Sequence, residues 1–290
     1  FGLKFFIPKL YFNIHTIKEH LRFGVYNMGD GLLGYVQSNT DNIFLGGMLG
    51  VKMLGYYTVA YQLCVFPIMK LNPIILQVAY PILARMKENT SELRKSYLKI
   101  LDFISYCNLP LLAGLFITAD TVVPLIYGPG WEKSIELIRI FVFVGIFICL
   151  SHPLYTVAFT KGKPSLLFYL NLGTLIVKIP LVYLFGTYWG VMGIAIAFLL
   201  TTFLNMLVNF GMVNYLIGDF FSDFLKNIAK PVTFCLIMVA IISIYKMLVG
   251  YSGPINAFAE IAIGGAIYAV LTLAYKLSFD QIKAYRQGLL

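Results

Sequence analysis

Charged residues are scarce in this sequence, and long polar stretches are scarcer still. Only 12% of its 290 residues are Asp, Glu, Lys or Arg, while 59% are hydrophobic and the mean hydropathy is +0.81. Soluble domains carry about 25% charged and about 45–50% apolar residues. A chain of this length has too small an interior to hide so much apolar surface from water. The composition therefore excludes an ordinary soluble protein and predicts that lipid surrounds most of the chain.

Cysteine and histidine are also rare, and a nucleotide-binding motif is missing. The four cysteines lie in four different apolar runs without a CxxC spacing, which argues against a disulfide framework. Cys149 and His152 could share a helix face, but two ligands do not make a zinc site. The sequence has no GxxxxGK[ST] motif, and its three histidines have no paired carboxylate motif. We therefore expect no catalytic residue, no metal site and no cofactor.

Eight segments are long and apolar enough to cross a bilayer, which takes about 20 residues of helix. They predict an all-α integral membrane protein with about eight transmembrane helices. The first segment is unusually polar, and the second and third are long enough to tilt or protrude. The approximate bounds are 20–46, 54–84, 97–126, 132–159, 165–185, 190–216, 229–250 and 255–276.

The order of these segments divides the chain into four parts. A short stretch between the sixth and seventh segments places Phe220, Phe221 and Phe224 near one helical face, which is typical of an interfacial helix. The basic, aromatic start of the chain is typical of a connector between helices, so we expect the protein to continue upstream of Phe1. The parts are a cytoplasmic connector (1–19), a six-helix transmembrane lobe (20–216), an interfacial amphipathic segment (217–231), and two C-terminal transmembrane helices with a cytoplasmic tail (232–290).

The net charge of +9 is concentrated on one side of the predicted membrane. By the predicted topology, 16 of the 22 basic residues fall in or beside the loops of a single face. An excess of Lys and Arg in short loops marks the cytoplasmic side of a membrane protein. This placement accounts for the positive charge without nucleic acid, and it predicts a multi-pass protein.

The first predicted helix carries a polar stripe that acyl chains would not solvate. At 3.6 residues per turn, six of its residues fall within an arc of about 100°. Ionisable groups at membrane depth cost at least about 2.5–3.5 kcal/mol each, so they normally face a cavity or a partner. The stripe predicts the wall of an aqueous lumen, and hydrogen-bonded contact between helices is the alternative. Its members are Asn27, Asp30, Gly34, Gln37, Ser38 and Asp41.

Three cations, Lys70, Arg139 and Lys178, lie within other predicted spans. Snorkelling to the interface is one interpretation, which suits Arg139 better than Lys70. The other is a cavity for an anionic, sugar-rich cargo, because Lys and Arg attract phosphate or uronate groups. Asp30 and Asp41 could then take up protons or a sodium ion during a transport cycle, since buried carboxylates shift their affinity for protons readily.

Residues 21–89 resemble the polysaccharide-transporter branch of the multidrug/oligosaccharidyl-lipid/polysaccharide exporter superfamily, which includes the Wzx-type flippases. The resemblance rests on a polar helix ending in "NTDNIFLGGMLG", then "LGYYTVAYQL", then a helix ending in "YPILARMKEN". The later runs "VVPLIYGPGWEKS" and "GVMGIAIAFLL" are also similar to this family. The last two predicted helices match only in number and character.

This resemblance implies the second of two six-helix lobes, followed by two extra helices. It also implies alternating access, with lipid-linked oligosaccharide flipped across the bacterial cytoplasmic (inner) membrane. The implied partners are that glycan, membrane lipids and polysaccharide assembly proteins, but not nucleic acid. Relatives often have a basic residue where this chain has Asn42, so the resemblance does not determine the net charge of the cavity. The cargo contacts that the resemblance implies are Lys70, Arg139, Lys178, Asp41 and Asn42. Asn27 and Gln37 of the polar stripe are the other predicted substrate contacts, and Asp30 and Asp41 are the ion-coupling candidates.

Three other functions fit parts of the pattern. A multidrug or small-molecule exporter of the same superfamily would share the fold, but its cavity would be dominated by acidic residues. A membrane enzyme generally needs a polar catalytic loop or clustered acid and base residues, and the predicted outer loops are short. A scaffold without a transport role would have no need of the polar stripe in the first helix.

Overall fold

The computed structural model describes residues 14–250 and 253–276, which form helices joined by short turns. Most of the predicted connector and the predicted cytoplasmic tail lie outside the described residues. The helices are α1 Ile14–Met48, α2 Val51–Arg85, α3 Thr90–Tyr127, α4 Glu132–Ser151, α5 Pro153–Thr160, α6 Ser165–Ile217, α7 Phe221–Val249 and α8 Gly253–Lys276.

Six helical stretches of the described residues are long and apolar enough to cross a membrane. They are α2, α3, α4 together with α5, α6, α7 and α8. This finding confirms the predicted all-α membrane class. Helix α1 is not among the six, because its polar stripe lowers its hydropathy. The predicted number of eight crossings stays a prediction.

Helix α6 reverses direction at Gly190, whose backbone angles (φ 60°, ψ −140°) are not helical. A straight helix of its 53 residues would be about 80 Å long, far more than a bilayer core of about 30 Å. A Cβ atom on Gly193 would overlap the carbonyl oxygen of Phe185, so the chain before the reversal lies beside the chain after it. We call residues 165–189 the first arm and residues 191–217 the second arm.

Proline interrupts the span that contains α4 and α5. Pro153 has no N–H, so it cannot donate the helical bond that the carbonyl of Cys149 would otherwise accept. The N–H of Tyr155 bonds to the carbonyl of His152 at 3.2 Å instead of continuing the regular pattern to Ser151. Two carbonyl groups are therefore released inside an apolar span, where an unsatisfied backbone group costs on the order of several kcal/mol.

Asparagine side chains from neighbouring helices donate to both of these carbonyl groups. Asn72 of α2 donates from Nδ2 to the carbonyl of Cys149 at 3.3 Å. Asn209 of the second arm donates from Nδ2 to the carbonyl of Ser151 at 3.0 Å. Asn108 of α3 supports the first contact by donating to Oδ1 of Asn72 at 2.9 Å. The break is thus held in one geometry by side chains of three surrounding helices.

The helices pack as two groups that meet along α3. Helix α1 packs on α6, while α4 lies against α2, α3 and α6. Helices α7 and α8 pack on α3 and on each other, around a separate apolar cluster that includes Tyr106, Leu109, Met238, Ile242 and Tyr268. The C-terminal pair is therefore attached to one side of the larger group, where it leaves the interior of that group unobstructed.

The predicted interfacial segment begins at a turn and continues as the first turns of α7. Phe220 and Phe224 are buried against protein, and the Phe220 ring lies 5.5 Å from that of Tyr97. Phe221 and Leu225 are exposed. The location of this segment on a membrane leaflet stays a prediction.

Candidate functional site

A cavity of about 770 Å³ lies between α1, α2, the α4–α5 break and the two arms of α6. Four members of the α1 stripe, Gly34, Gln37, Ser38 and Asp41, contribute to its wall. Their spacing of three and four residues places them on one helical face. The predicted polar stripe therefore lines a cavity over this part of α1.

The two arms of α6 contribute polar side chains with the same spacing. On each arm, three polar residues occupy positions i, i+3 and i+7, so the three side chains share one helical face. Asn205 joins the arms by donating from Nδ2 to Oγ1 of Thr174 at 2.7 Å. The two sets are Asn171, Thr174 and Lys178 on the first arm, and Thr202, Asn205 and Asn209 on the second.

Lys178 and Asp41 form a buried ion pair in the cavity wall, with Nζ 2.7 Å from Oδ2. Their side chains are 1% and 5% exposed. Lys178 also donates to the carbonyl of Gln37 at 2.9 Å, and its Nζ lies 4.3 Å from the ring centre of Phe198. Removing two charges from water costs on the order of several kcal/mol per ion, so such a pair depends on these additional contacts.

This ion pair determines the charge of the cavity wall. Among the described lining residues, Asp41 and Lys178 are the only members of the Asp, Glu, Lys and Arg types. Their charges cancel, so the wall presents amides, hydroxyls and aromatic rings around one neutralised pair. The second carboxylate oxygen of Asp41, Oδ1, is buried, and the hydroxyl of the buried Tyr57 interacts with this carboxylate. An anionic ligand would have to compete with Asp41 for the ammonium group.

Asp30 lies behind the cavity wall. It is 8% exposed and accepts a hydrogen bond from Nδ2 of Asn171 at 2.6 Å. The same amide nitrogen lies 3.1 Å from the hydroxyl of Tyr155, which lines the cavity. Asp30 and Asp41 are eleven positions apart in α1, about 16 Å along the helix axis. The two predicted ion-coupling carboxylates thus have different surroundings, and only Asp41 reaches the cavity wall.

The structure brings together Gln37, Asp41 and Lys178 among the predicted substrate contacts. Lys70 is exposed, with Nζ 5.3 Å from the ring centre of Phe66, and it is not part of this wall. The remaining predicted contacts outside the wall also have exposed side chains; they are Asn27, Asn42 and Arg139. Their role in binding stays a prediction.

Sequence reasoning missed His152, Asn171, Asn205 and Asn209, which all line the cavity. A signal for the three asparagines was present, because amides are rare in apolar spans and usually face a partner. Their spacing from neighbouring Thr and Lys residues would have placed them on shared faces. Nothing in the sequence indicates which helices those faces meet.

A second buried ion cluster lies outside the cavity, where α3, α7 and α8 meet. Lys246 Nζ lies 2.5 Å from Oδ1 of Asp120 and 3.4 Å from Oε2 of Glu260. Thr121 donates to the same Glu260 oxygen at 2.7 Å, and Lys246 also donates to the carbonyl of Ile117 at 2.6 Å. These contacts connect the C-terminal helix pair to α3.

Known proteins with similar sequences are named for polysaccharide biosynthesis. Residues 3–136 match the family model described as "Polysaccharide biosynthesis protein". The lipopolysaccharide biosynthesis protein WzxC of Escherichia coli is 29% identical over 232 residues, which are 80% of this chain and 47% of WzxC. The teichuronic acid biosynthesis protein TuaB of Bacillus subtilis is 27% identical over 224 residues, 77% of this chain and 46% of TuaB. The chain therefore spans about half the length of these relatives.

The fold is similar to that of a solved membrane protein. The lipid II flippase MurJ, in an inward closed conformation, superposes with a TM-score of 0.74 at 14% sequence identity. The match covers 92% of this chain and 56% of MurJ. The six apolar spans and the bacterial relatives also identify a multi-pass protein of the bacterial inner membrane. The resemblance predicted from residues 21–89 is confirmed, since the chain is similar in sequence to proteins of polysaccharide biosynthesis, among them WzxC and TuaB.

Proposed function

We propose that this chain forms the C-terminal half of a transporter that flips a lipid-linked oligosaccharide or polysaccharide repeat unit across the cytoplasmic membrane. The observation that carries this proposal is the cavity of about 770 Å³, lined by amides and hydroxyls around the Asp41–Lys178 pair. Amides and hydroxyls can exchange hydrogen bonds with sugar hydroxyls, and a lysine can meet a phosphate or uronate group.

Eight crossings are part of the proposal. The two arms of α6 would each cross the membrane, which raises the six candidate spans to seven. Helix α1 would be the eighth, because its 35 residues are long enough and its polar face lines the cavity rather than requiring solvation by lipid. The six crossings before α7 would form one lobe, with α7 and α8 attached to it.

Binding of an anionic group would act on the ion pair. A phosphate or uronate that reaches Lys178 replaces Asp41 as its partner, and the freed carboxylate then requires a proton or a sodium ion in so apolar a setting. Entry of cargo and uptake of the ion are thereby linked at Asp41. Asp30 would contribute indirectly, through its hydrogen bond to Asn171 in the cavity wall.

A multidrug or small-molecule exporter is the alternative. Such a protein would bind cationic amphiphiles, and Asp41 could attract them once released from Lys178. The neutral balance of charge among the described lining residues is consistent with this alternative, whereas the named relatives act in polysaccharide biosynthesis. Measuring both cargo classes on the full-length protein distinguishes the two functions.

The proposal does not include catalysis. The cavity offers one histidine, His152, whose Nδ1 lies 3.3 Å from the amide nitrogen of Asn72 rather than beside a nucleophile. The proposed partners are the lipid-linked glycan, membrane lipids and proteins of polysaccharide assembly.

The test is a flipping assay with the full-length protein reconstituted in liposomes that contain a labelled lipid-linked oligosaccharide. Lys178→Gln should reduce the rate by at least about tenfold, the range expected when a charge-assisted contact is lost. Lys52→Gln removes the same charge from an exposed position outside the cavity and serves as the matched control.

The paired variant Asp41→Asn/Lys178→Gln guards against misfolding, because it leaves neither charge without a partner. The proposal requires this folded variant to flip slowly as well. Normal flipping by it would show that the Asp41–Lys178 pair does not carry the cargo. Binding of cationic drugs without binding of lipid-linked glycan would show that the protein is not a flippase of the proposed kind.

A further inference from the structure

A cleft of about 370 Å³ separates the first turns of α3 from those of α7, away from the cavity. Lys95 and Lys99 of α3 face it from one side, and Lys226 of α7 faces it from the other. Asp102 and Asp223 also line it. The predicted topology places all three lysines on the cytoplasmic face, so we expect the cleft to open at the level of the lipid headgroups on that side.

The three ammonium groups of the cleft have no ion-pair partner among the described residues. Lys95 and Lys99 are four residues apart on one helix face, where like charges destabilise a helix by a few tenths of a kcal/mol, about 0.2–0.5. Three lysines against two aspartates leave one net positive charge, which matches the single negative charge of a phosphodiester.

The walls of the cleft are fixed by contacts at one end. Arg94 of α3 donates from Nη1 to the carbonyl of Asp219 at 2.9 Å. Phe220 packs its ring against Tyr97 at 5.5 Å, in an edge-to-face arrangement. These contacts hold the turn before α7 against α3, so the cleft is formed before any ligand enters. A preformed site binds at a lower entropic cost.

Exposed apolar residues neighbour the cleft residues along both helices. Phe103 directly follows Asp102 and is 51% exposed, while Leu225 directly precedes Lys226 and is 49% exposed. A ligand with a charged head and apolar chains could place its head between the lysines and its chains beside these two residues. Basic pockets between helices on the cytoplasmic side are a known way of holding anionic lipid headgroups.

We propose that the cleft between α3 and α7 binds the phosphodiester headgroup of a membrane phospholipid through Lys95, Lys99 and Lys226. Asn227, which also lines the cleft, supplies an amide donor for the phosphate oxygens. The bound lipid would bridge α3 and α7 at the cytoplasmic end. This site is separate from the cavity and does not depend on the proposed transport function.

The experiment measures lipid binding to the purified full-length protein in detergent, by native mass spectrometry over a concentration series. Phosphatidylglycerol is the probe, diacylglycerol with the same acyl chains lacks the phosphodiester, and inorganic phosphate tests the free anion. Saturable binding of one phosphatidylglycerol, with at least tenfold weaker binding of the other two, supports the proposal. Equal binding of diacylglycerol, or equal binding of inorganic phosphate, overturns it.

Paired variants locate the site. Lys95→Gln/Lys99→Gln should weaken phosphatidylglycerol binding by about 30-fold, the effect expected for two cations near a lipid headgroup. Arg85→Gln/Lys87→Gln removes two charges from the exposed basic segment before α3 and should leave binding within about twofold. Because all four side chains are at the surface, thermal unfolding should be unchanged in both pairs. If both paired variants bound phosphatidylglycerol with equal affinity, the lipid would bind outside this cleft.

Discussion

Lys178 and Asp41 lie 137 positions apart in the chain, yet their charged atoms are 2.7 Å apart in the cavity wall. The contact joins the polar α1 to the first arm of α6, two helices that pack closely along their length. It gives α1 a partner for the carboxylate that lipid would not solvate. In the proposed function the same pair is where an anionic cargo would bind, so the pair would serve both stability and transport.

Removing one member of this pair should cost more stability than removing both. Lys178→Met leaves Asp41 as an unpaired buried charge, which should lower the free energy of unfolding by about 3–5 kcal/mol. Asp41→Asn/Lys178→Met leaves no unpaired charge and should recover more than half of that loss. Thermal unfolding of the full-length protein in detergent measures both. If the double variant were as unstable as the single one, the attraction between the two charges would maintain the packing, and not merely the absence of an unpaired buried charge.

The α4–α5 break should depend on the donor atoms of two asparagines. Asn209→Asp removes the N–H that bonds to the Ser151 carbonyl and leaves that carbonyl unsatisfied, at a cost of about 1–3 kcal/mol. Asn72→Asp should have a similar effect at Cys149 while keeping an acceptor for Asn108. Asn214→Asp, at an exposed position of the same arm as Asn209, is the control. Equal unfolding temperatures for the control and Asn209→Asp would show that the carbonyl has another donor.

The reversal of α6 should be sensitive to two glycines for different reasons. Gly190→Ala forces a side chain into a positive-φ conformation, which costs about 1–3 kcal/mol. Gly193→Ala should be worse, because its Cβ would overlap the carbonyl of Phe185 and separate the arms. Gly173→Ala lies within the first arm with open space around its Cβ, so it should be neutral or slightly stabilising. The order of the three unfolding temperatures tests whether the arms pack tightly at the turn.

The C-terminal helix pair should depend on Lys246. Lys246→Met leaves Asp120 and Glu260 close together without their cation, and a loss of about 3–5 kcal/mol is expected. Glu260→Gln keeps an acceptor for the Thr121 hydroxyl and leaves Lys246 with Asp120, so its effect should be smaller, below about 2 kcal/mol. Limited proteolysis of the membrane-embedded protein between α6 and α7 would report loosening of the pair. Equal cleavage of both variants contradicts this account.

The helical segments were predictable because their signal is local. A run of about 20 apolar residues must form a helix in lipid to satisfy its own backbone, whatever its neighbours are. The predicted segments 165–185 and 190–216 even separate the two arms of α6 close to Gly190. The polar face of α1 was predictable for the same reason, since the spacing of Gln37 and Asp41 follows from helix geometry alone.

The surroundings of the deep cations were not predictable. Lys70, Arg139 and Lys178 look alike in sequence, each a cation inside an apolar run. Whether such a side chain reaches a cavity, a partner or the exterior depends on the rotation of its helix against helices far away in the chain. Only Lys178 of the three lines the cavity, because the first arm of α6 turns that face toward α1.

The sequence by itself determined that lipid surrounds the protein, that its secondary structure is helical and that α1 has a polar face. Each of these depends on composition or on spacing within one helix. Tertiary structure alone decided that Asp41 meets Lys178, that Asn72 and Asn209 satisfy the carbonyls beside Pro153, and that three lysines share a cleft between α3 and α7. The physical reason is that ion pairs and hydrogen bonds are short-ranged. Their partners come from helices whose relative rotation is set by packing over the whole structure, and no local pattern records it.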